Sequence, residues 1–320
     1  MQRTQVAHEY CGFFLSGPTA VGKSAVAQFL AETHNFDMLS CDSMLVYRGM
    51  DIGTAKPTAS EREKVHYWGV DVVSPSKSFS VADYHKVALK AFSSVLGAGR
   101  KLLVVGGTGL YMKSLIYGLD SKPPANPMIR LKAERLLRTS GIQALQEWLR
   151  ALSPIAYNSL ADPENPRRLV RAIECVMAQS PAPCKQRKSS AHKTARIPAL
   201  ILQAGELSTR IKSRVRKMFS SGFVEEVEYL LKKFNFESSP TASQAIGYSE
   251  VIDYLRGRCS REEAIQKTII RTGQLAKRQR TWLSHQVNVG WLHIDKSMSV
   301  SMIGRQVLDY WHVHGPTPIL

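Results

Sequence analysis

Eight consecutive residues carry the clearest chemistry in the chain: Gly17, Pro18, Thr19, Ala20, Val21, Gly22, Lys23 and Ser24, which fit G-x-x-x-x-G-K-[ST] without a mismatch. Gly17 and Gly22 let the backbone turn so that its N–H groups and a following helix N-terminus face an anion. Lys23 adds a point charge, and the Ser24 hydroxyl can sit on a Mg²⁺ that bridges phosphate oxygens. A chance glycine turn before a helix is the plain alternative. The flanks weigh against it, because the apolar run Cys11–Leu15 reads as a strand and Ser24–Glu32 carries Val26, Phe29 and Leu30 at the spacing of a helix face.

Two further groups point the same way. Met38–Ser40 reads as a short strand that delivers Asp42 and Ser43 at its C-terminal end, the edge where open α/β sheets hold ligands. The segment that follows, DSMLVYRGMDIGTAKP from Asp42 to Pro57, is dense in polar groups and glycines, as either a positioned site loop or a solvated turn would be. The apolar run Lys101–Val105 predicts a buried parallel strand, and it ends in GGTGLY, Gly106–Tyr111, which presents the Thr108 hydroxyl before another helix, Leu110–Tyr117.

The elements that must position these groups alternate strand and helix, which predicts an α/β fold: a P-loop NTPase-like parallel sheet flanked by helices. Val70–Val73 reads as a strand and Phe79–Leu96 as a helix. Ser121–Pro127, SKPPANP, continues neither a helix nor a central strand and reads as a linker. Helical periodicity then covers Met128–Arg138, Gly141–Leu152 and Arg167–Met177, with turns at Ser153-Pro154 and Asp162–Pro166, so an inserted all-helical subdomain is expected over the ligand edge. It ends in a basic, mobile loop, Ser180–Arg196. Ala199–Gln203 resumes as a strand that returns to the sheet. Thr209–Phe219, Val224–Phe234, Ser249–Arg256 and Arg261–His285 read as helices, followed by a weak strand at Val289–Ile294 and a short terminal helix. The domain division is therefore 1–120 with 197–320 as the α/β core, and 121–196 as the insertion.

With 43 basic against 26 acidic side chains the chain carries +17, the balance that a polyanion partner selects. Its position matters more than its sum. Between Pro181 and Pro198 stand five Lys or Arg and no carboxylate, and Arg256–Arg280 holds eight basic residues against two acidic ones. Five cysteines without a C-x-x-C pair argue against a zinc site and a disulfide framework. No apolar run approaches the length of a membrane span and the N-terminus has no signal-peptide core, so a cytoplasmic protein is expected. The absence of an obvious self-complementary apolar stripe suggests a monomer.

The motifs in their order resemble the tRNA dimethylallyltransferases, the isopentenyl-tRNA transferases of bacterial type. The likeness rests on GPTAVGKS at Gly17, DSMLVYRGMDIGTAKP at Asp42, GGTGLY at Gly106, NPMIR at Asn126, IGYSEV at Ile246 and QLAKRQRTWL at Gln274, and it runs to about Leu283. It implies transfer of the dimethylallyl group of dimethylallyl diphosphate to the exocyclic amine of the adenosine 3′ to the anticodon of tRNA. In that scheme Asp42 is the general base and Thr108 orients the amine and the diphosphate. Arg210 and Arg214, in STRIKSRVRKM, read as a clamp on the diphosphate from the far side, with a solvated helix face as the plain alternative. The phosphate loop with a Mg²⁺ at Ser24 holds the leaving diphosphate. The implied tRNA contacts are Asp42, Ser43, Met44, Leu45, Thr108, Arg130, Pro166, Arg167, Arg168, Leu169 and Val170, with Gln274, Lys277, Arg278 and Arg280 tracking the backbone of the anticodon stem-loop. Tyr47 and Tyr111 either stack on a base or pack.

Three departures stand out. His66-Tyr67-Trp68 occupies the place of the family's usual His pair, Gly273 that of a usually large side chain, and no Cys/His finger follows the core. Two rivals share the same loop, a small-metabolite kinase and a non-catalytic RNA-binding ATPase. The first has little use for +17 or for a basic C-terminal helix, and the second does not need Asp42 and Thr108 facing one phosphate.

Overall fold

The computed structural model describes residues 10–119, 123, 125–178, 196–239 and 241–320. The first half of the α/β unit runs β1 (Tyr10–Leu15), α1 (Lys23–His34), β2 (Phe36–Cys41), α2 (Ala59–Lys64), β3 (Tyr67–Trp68), α3 (Val81–Gly97), β4 (Lys101–Gly106) and α4 (Gly109–Tyr117). A helical segment follows, with α5 (Pro127–Leu152), α6 (Pro154–Asn158) and α7 (Pro166–Met177). The chain then continues through β5 (Ile197–Ile201), α8 (Ala204–Ser220), α9 (Phe223–Lys233), α10 (Tyr248–Leu255), α11 (Arg261–Gln286), β6 (Val289–His293), α12 (Val300–His314) and β7 (Thr317–Ile319). Two compact units result, the first drawn from Met1–Leu119 and Ser189–Leu320, the second from Asp120–Lys188.

Among the described residues, the main sheet has the order β3-β2-β4-β1-β7. Every residue of β2 is buried, as the sequence of a parallel strand covered on both faces requires. One face carries α3 and α4, whose Tyr84, Phe92, Met112 and Leu115 pack with Phe14, Leu102 and Val104. The other carries α1 and α12, where Leu30, Ile303 and Trp311 meet Leu15, Met38 and Leu103, and the Trp311 indole donates to the Phe14 carbonyl at 3.1 Å. Each such fully buried aliphatic side chain contributes about 2 kcal/mol through removal from water. A third core joins α8–α11 to the loop after β2 through Val46, Tyr47, Met50, Phe219, Phe223 and Tyr248.

The sheet is mixed rather than parallel, because β7 runs antiparallel to β1, with Tyr10 opposite Ile319 and Gly12 opposite Thr317. That pairing also explains the fate of the strand predicted at Ala199–Gln203. The edge of β1 is filled from Tyr10 to Gly12, so β5 touches it only at Ser16, whose N–H donates to Pro198 O and whose carbonyl accepts from Leu200 N, both at 2.9 Å. Along its length β5 pairs in parallel with β6 instead.

The strand predicted over Val70–Val73 lies earlier, at Tyr67–Trp68, paired with Met38 and Leu39. Asp71 takes a left-handed conformation (φ 55) and interrupts extension. Its segment serves as a tether. The Arg48 guanidinium donates to the carbonyls of Asp71 (2.9 Å) and Val72 (3.3 Å), while the Asp71 carboxylate binds Lys56 (2.7 Å) and Arg62 (2.6 Å). Tyr47 and Tyr111 pack rather than offer faces: both are buried, and Tyr111 stacks on Tyr84 with centroids 3.9 Å apart.

The second unit is helical as expected, with α5 bent at Gly141 and a core of Ala133, Leu145, Leu149, Ala156, Leu169, Ala172 and Ile173. Where a turn was expected at Ser153-Pro154, α6 forms, started by the Ser153 hydroxyl accepting from Ala156 N at 3.2 Å. The expected basic loop lies outside the described residues except for Arg196.

Candidate active site

The phosphate-loop sequence sits between the C-terminal end of β1 and the start of α1, as its motif demands. Gly22 occupies the helix N-cap at φ 108, a conformation that a side chain rarely adopts, and no side chain caps α1. The helix therefore opens toward the loop with its positive end uncapped by any side chain. Lys23 curls back, its ammonium donating to the Pro18 carbonyl at 2.7 Å. Burial lowers its pKa from 10.5 to about 8; the Asp42 carboxylate opposes that shift and Arg214 adds to it.

A cavity of about 510 Å³ opens beside the loop, at the C-terminal ends of the parallel strands. Its lining includes Thr19, Ala20, Gly22, Lys23 and Ser24 from the loop, Asp42 and Leu45 from beyond β2, Gly106 and Gly107 from beyond β4, and Arg210 and Arg214 from α8. Asp42 Oδ1 accepts from Met44 N at 2.9 Å, a turn that fixes the carboxylate at the end of its strand. Burial depresses the basicity of the Arg214 guanidinium, and the Asp42 charge counters this. Arg214 donates to Thr54 O at 3.3 Å and Arg210 to Val21 O at 3.1 Å, so both arginines brace the site's own backbone. Next to Asp42, burial pushes the Cys41 thiol up to about 12, which leaves it uncharged and inert.

Thr108 stands at the N-cap of α4 but does not line the cavity. Its Oγ1 accepts from Ser43 N at 3.0 Å, and its own N–H donates to Cys41 O at 3.1 Å, so the two loops that follow β2 and β4 are bonded to each other. Gly17, Pro18 and Val21 likewise lie behind the lining, Val21 fully buried. Met44 packs into the core formed by α8–α11.

The implied tRNA contacts separate by unit. On α11, Gln274, Lys277, Arg278 and Arg280 are all exposed. Arg271 is not part of that surface, because it pairs with Glu250 and donates to Ser249 Oγ at 2.6 Å. Nothing lies within 4 Å of a Cβ built at Gly273, so a larger side chain would fit there. In the second unit Arg167 and Arg168 are exposed and Pro166 opens α7, but Leu169 is fully buried in the helical core and offers RNA no surface. Arg130 is held by Glu174 at 2.7 Å, a carboxylate that Arg171 shares at 2.8 Å. His66 is exposed with its ring edge-on to Trp68, and Tyr67 reaches into the cavity lining, its hydroxyl donating to Gln28.

Sequence reasoning passed over two residues that shape the site. Gln279 lines the cavity from α11, accepting from Thr19 N at 2.7 Å and donating to Gly107 O at 3.2 Å. Glu226 on α9 accepts from the amides of Asp51 (2.9 Å), Ile52 (2.6 Å) and Gly53 (3.2 Å) and from the Tyr248 hydroxyl (2.7 Å). One signal was available for the first. In QRTWL, Gln279 and Trp282 are three residues apart on one helix face, and Trp282 packs so closely on the turn after β4 that a Cβ at Gly109 would lie 2.2 Å from its ring.

Comparison with known proteins places the chain as a whole. A family model described as IPP transferase matches residues 45–286. A tRNA dimethylallyltransferase of Corynebacterium jeikeium is 37% identical over 279 residues, covering 86% of this chain and 89% of that protein. The crystal structure of a full-length tRNA isopentenylpyrophosphate transferase from Bacillus halodurans superposes with a TM-score of 0.67 at 33% identity, over 95% of this chain and 98% of that one. A eukaryotic dimethylallyltransferase acting on tRNA shares the fold, with a TM-score of 0.70 at 22% identity over 95% of this chain and 76% of that one. The fold is P-loop NTPase-like with a mostly parallel sheet, and on these matches the chain belongs to the IPP transferase family.

Proposed function

We propose that the protein transfers the dimethylallyl group of dimethylallyl diphosphate to the exocyclic amine of the adenosine 3′ to the anticodon of tRNA. The observation that carries this reading is one cavity lined together by a phosphate loop, the Asp42 carboxylate and two arginines. The amine nitrogen attacks the allylic carbon, and the carbon–oxygen bond breaks with its electron pair leaving on diphosphate. Asp42 takes the proton that the nitrogen gives up as the new C–N bond forms. Charge developing on the leaving oxygen is stabilised by loop amides, by Lys23 in its protonated form and by Arg214. Reaching the diphosphate requires Lys23 to exchange the Pro18 carbonyl for phosphate oxygen. Thr108 acts through Ser43, whose amide it holds.

Mg²⁺ fits the site's oxygen donors. Among the described residues no group of three or more His, Cys, Asp or Glu gathers to hold a metal alone, so the ion would rest on the Ser24 hydroxyl and on the donor's own phosphate oxygens. When bound, it neutralises charge on the departing diphosphate. The exposed Arg167, Arg168, Lys277 and Arg278 supply positive surface for RNA phosphates in their respective units. We place the enzyme in the cytoplasm as a monomer. Among the described residues Cys41, Cys175 and Cys259 are free thiols, in keeping with a reducing compartment, and no helix is long and apolar enough to cross a membrane.

The test is incubation with unmodified tRNA, Mg²⁺ and labelled dimethylallyl diphosphate. Label is expected on the adenosine beside the anticodon. Label absent from tRNA while ATP is consumed would instead establish the kinase.

A further inference from the structure

The helix that presents basic residues outward also reaches the phosphate loop with one side chain, and this double contact is not accounted for by phosphate binding or by RNA binding alone. Gln279 Oε1 accepts from Thr19 N at 2.7 Å, and Gln279 Nε2 donates to Gly107 O at 3.2 Å. The approach is close enough that a Cβ at Gly107 would lie 2.6 Å from Nε2. A single amide thus spans the loop that holds the diphosphate and the turn that leads into Thr108. Both of its bonds run to backbone separated by more than 170 residues in sequence.

The other faces of the same helix look outward. At 3.6 residues per turn, Lys277 lies about 200° and Arg278 about 100° round the axis from Gln279. Both are exposed, whereas Ala276 and Leu283, within about 60° of Gln279, are buried. Trp282 seats the helix on Gly109, so the helix packs tightly on the turn after β4. Through Gln279, the helix that carries this outer basic face is bonded to the Thr19 amide.

We infer that Gln279 is a positioning residue that couples tRNA engagement on α11 to the diphosphate cradle. The inference rests on the function proposed above. It assigns Gln279 no contact with the reacting atoms. Its amide bridges Thr19 and Gly107, and the anion-holding arrangement of the cradle is favoured when RNA seats the helix. Two sites and a defined mechanical link make this a coupling free energy, which must act equally in both directions.

The experiment measures binding of inorganic diphosphate with Mg²⁺ to the full chain, with and without an anticodon stem-loop RNA. It compares wild type with Gln279→Met, which keeps length and removes both hydrogen bonds. In wild type the RNA is expected to tighten diphosphate binding about tenfold, and the diphosphate to tighten RNA binding by the same factor. In Gln279→Met the factor falls below about twofold, while RNA affinity measured alone is kept. In turnover, the variant's donor KM rises several-fold with a smaller change in kcat, which general loosening of the fold would not produce. If Gln279→Met does not fold, Gln279→Glu serves: its carboxylate still accepts from Thr19 but cannot donate to Gly107, and it too is expected to lose the coupling. A tenfold effect of RNA that survives in the variant overturns the inference, as does a wild type with no effect. A wild type that prenylates tRNA without coupling sinks only this inference, whereas absence of prenylation sinks the function itself.

Discussion

Lys23 makes donor binding pH-dependent in a direction that can be worked out from its surroundings. Burial brings its pKa from 10.5 to about 8 in the free protein. A group with that midpoint is about nine-tenths charged at pH 7 and about one-tenth charged at pH 9. The donor's own phosphate titrates below this window, near pH 6. If the diphosphate binds only the ammonium form, its apparent affinity falls about tenfold from pH 7 to pH 9. Stability runs the other way. In the unfolded chain Lys23 keeps its proton up to 10.5, so between about pH 8 and 10.5 the unfolded state binds more protons and this group's contribution to stability rises with pH. The assay is donor kcat/KM, together with inorganic diphosphate binding, at half-unit steps from pH 6.5 to 9.5, with Lys23→Met as the control that lacks the titrating group. Wild type should lose affinity across the window while Lys23→Met binds weakly and evenly. A flat wild-type profile, or the same slope in Lys23→Met, refutes the argument that a buried, titrating ammonium holds the anion.

Other perturbations test the remaining parts. Asp42→Asn keeps the turn to Met44 but cannot take a proton, so single-turnover transfer should slow about 10²- to 10⁴-fold with tRNA affinity nearly unchanged; near-normal transfer would reject the general-base role. Lys277→Ala combined with Arg278→Ala should weaken tRNA binding and reduce the slope of log K against log salt by about 1.5, with diphosphate binding in the absence of RNA unaffected. Glu226→Ala strips an acceptor from three backbone amides and a tyrosine hydroxyl, and urea unfolding should report a loss of about 3 kcal/mol. A loss below about 0.5 kcal/mol would show that water replaces that carboxylate at no cost.

How much of this was legible beforehand follows from the range over which each signal acts. The phosphate loop, the helix after it and the buried run of β4 were readable because their signals are local: a turn motif, a 3.6-residue period, a nearly continuous apolar stretch. The strand placed at Val70–Val73 failed for a non-local reason. Three valines in four residues suit a strand, but Asp71 is claimed by Lys56 and Arg62 and its backbone carbonyl by Arg48, partners that no window around residue 70 contains. β7 was missed likewise, since three residues become a strand only because β1 leaves an edge open beside them.

Gln279 shows why the site itself was only half legible. On α11 the conspicuous residues are the charged ones, and charge draws attention to the solvent side of a helix, where RNA would lie. The inward stripe of that helix, Ala276, Gln279, Trp282 and Leu283, contains one neutral polar side chain among apolar ones, and composition alone gives such a residue no rank. Its meaning depends on what it meets. A half-buried amide beside a core would be costly unless both its oxygen and its nitrogen found partners. Here they find a phosphate-loop N–H and a carbonyl of the turn before Thr108. Periodicity could have placed Gln279 inward with Trp282, and Gly107 and Gly109 could have been read as backbone that something approaches closely. Only the fold shows that the side chains doing the approaching are these two. That juxtaposition turns a basic surface helix and a nucleotide-type loop into parts of one site.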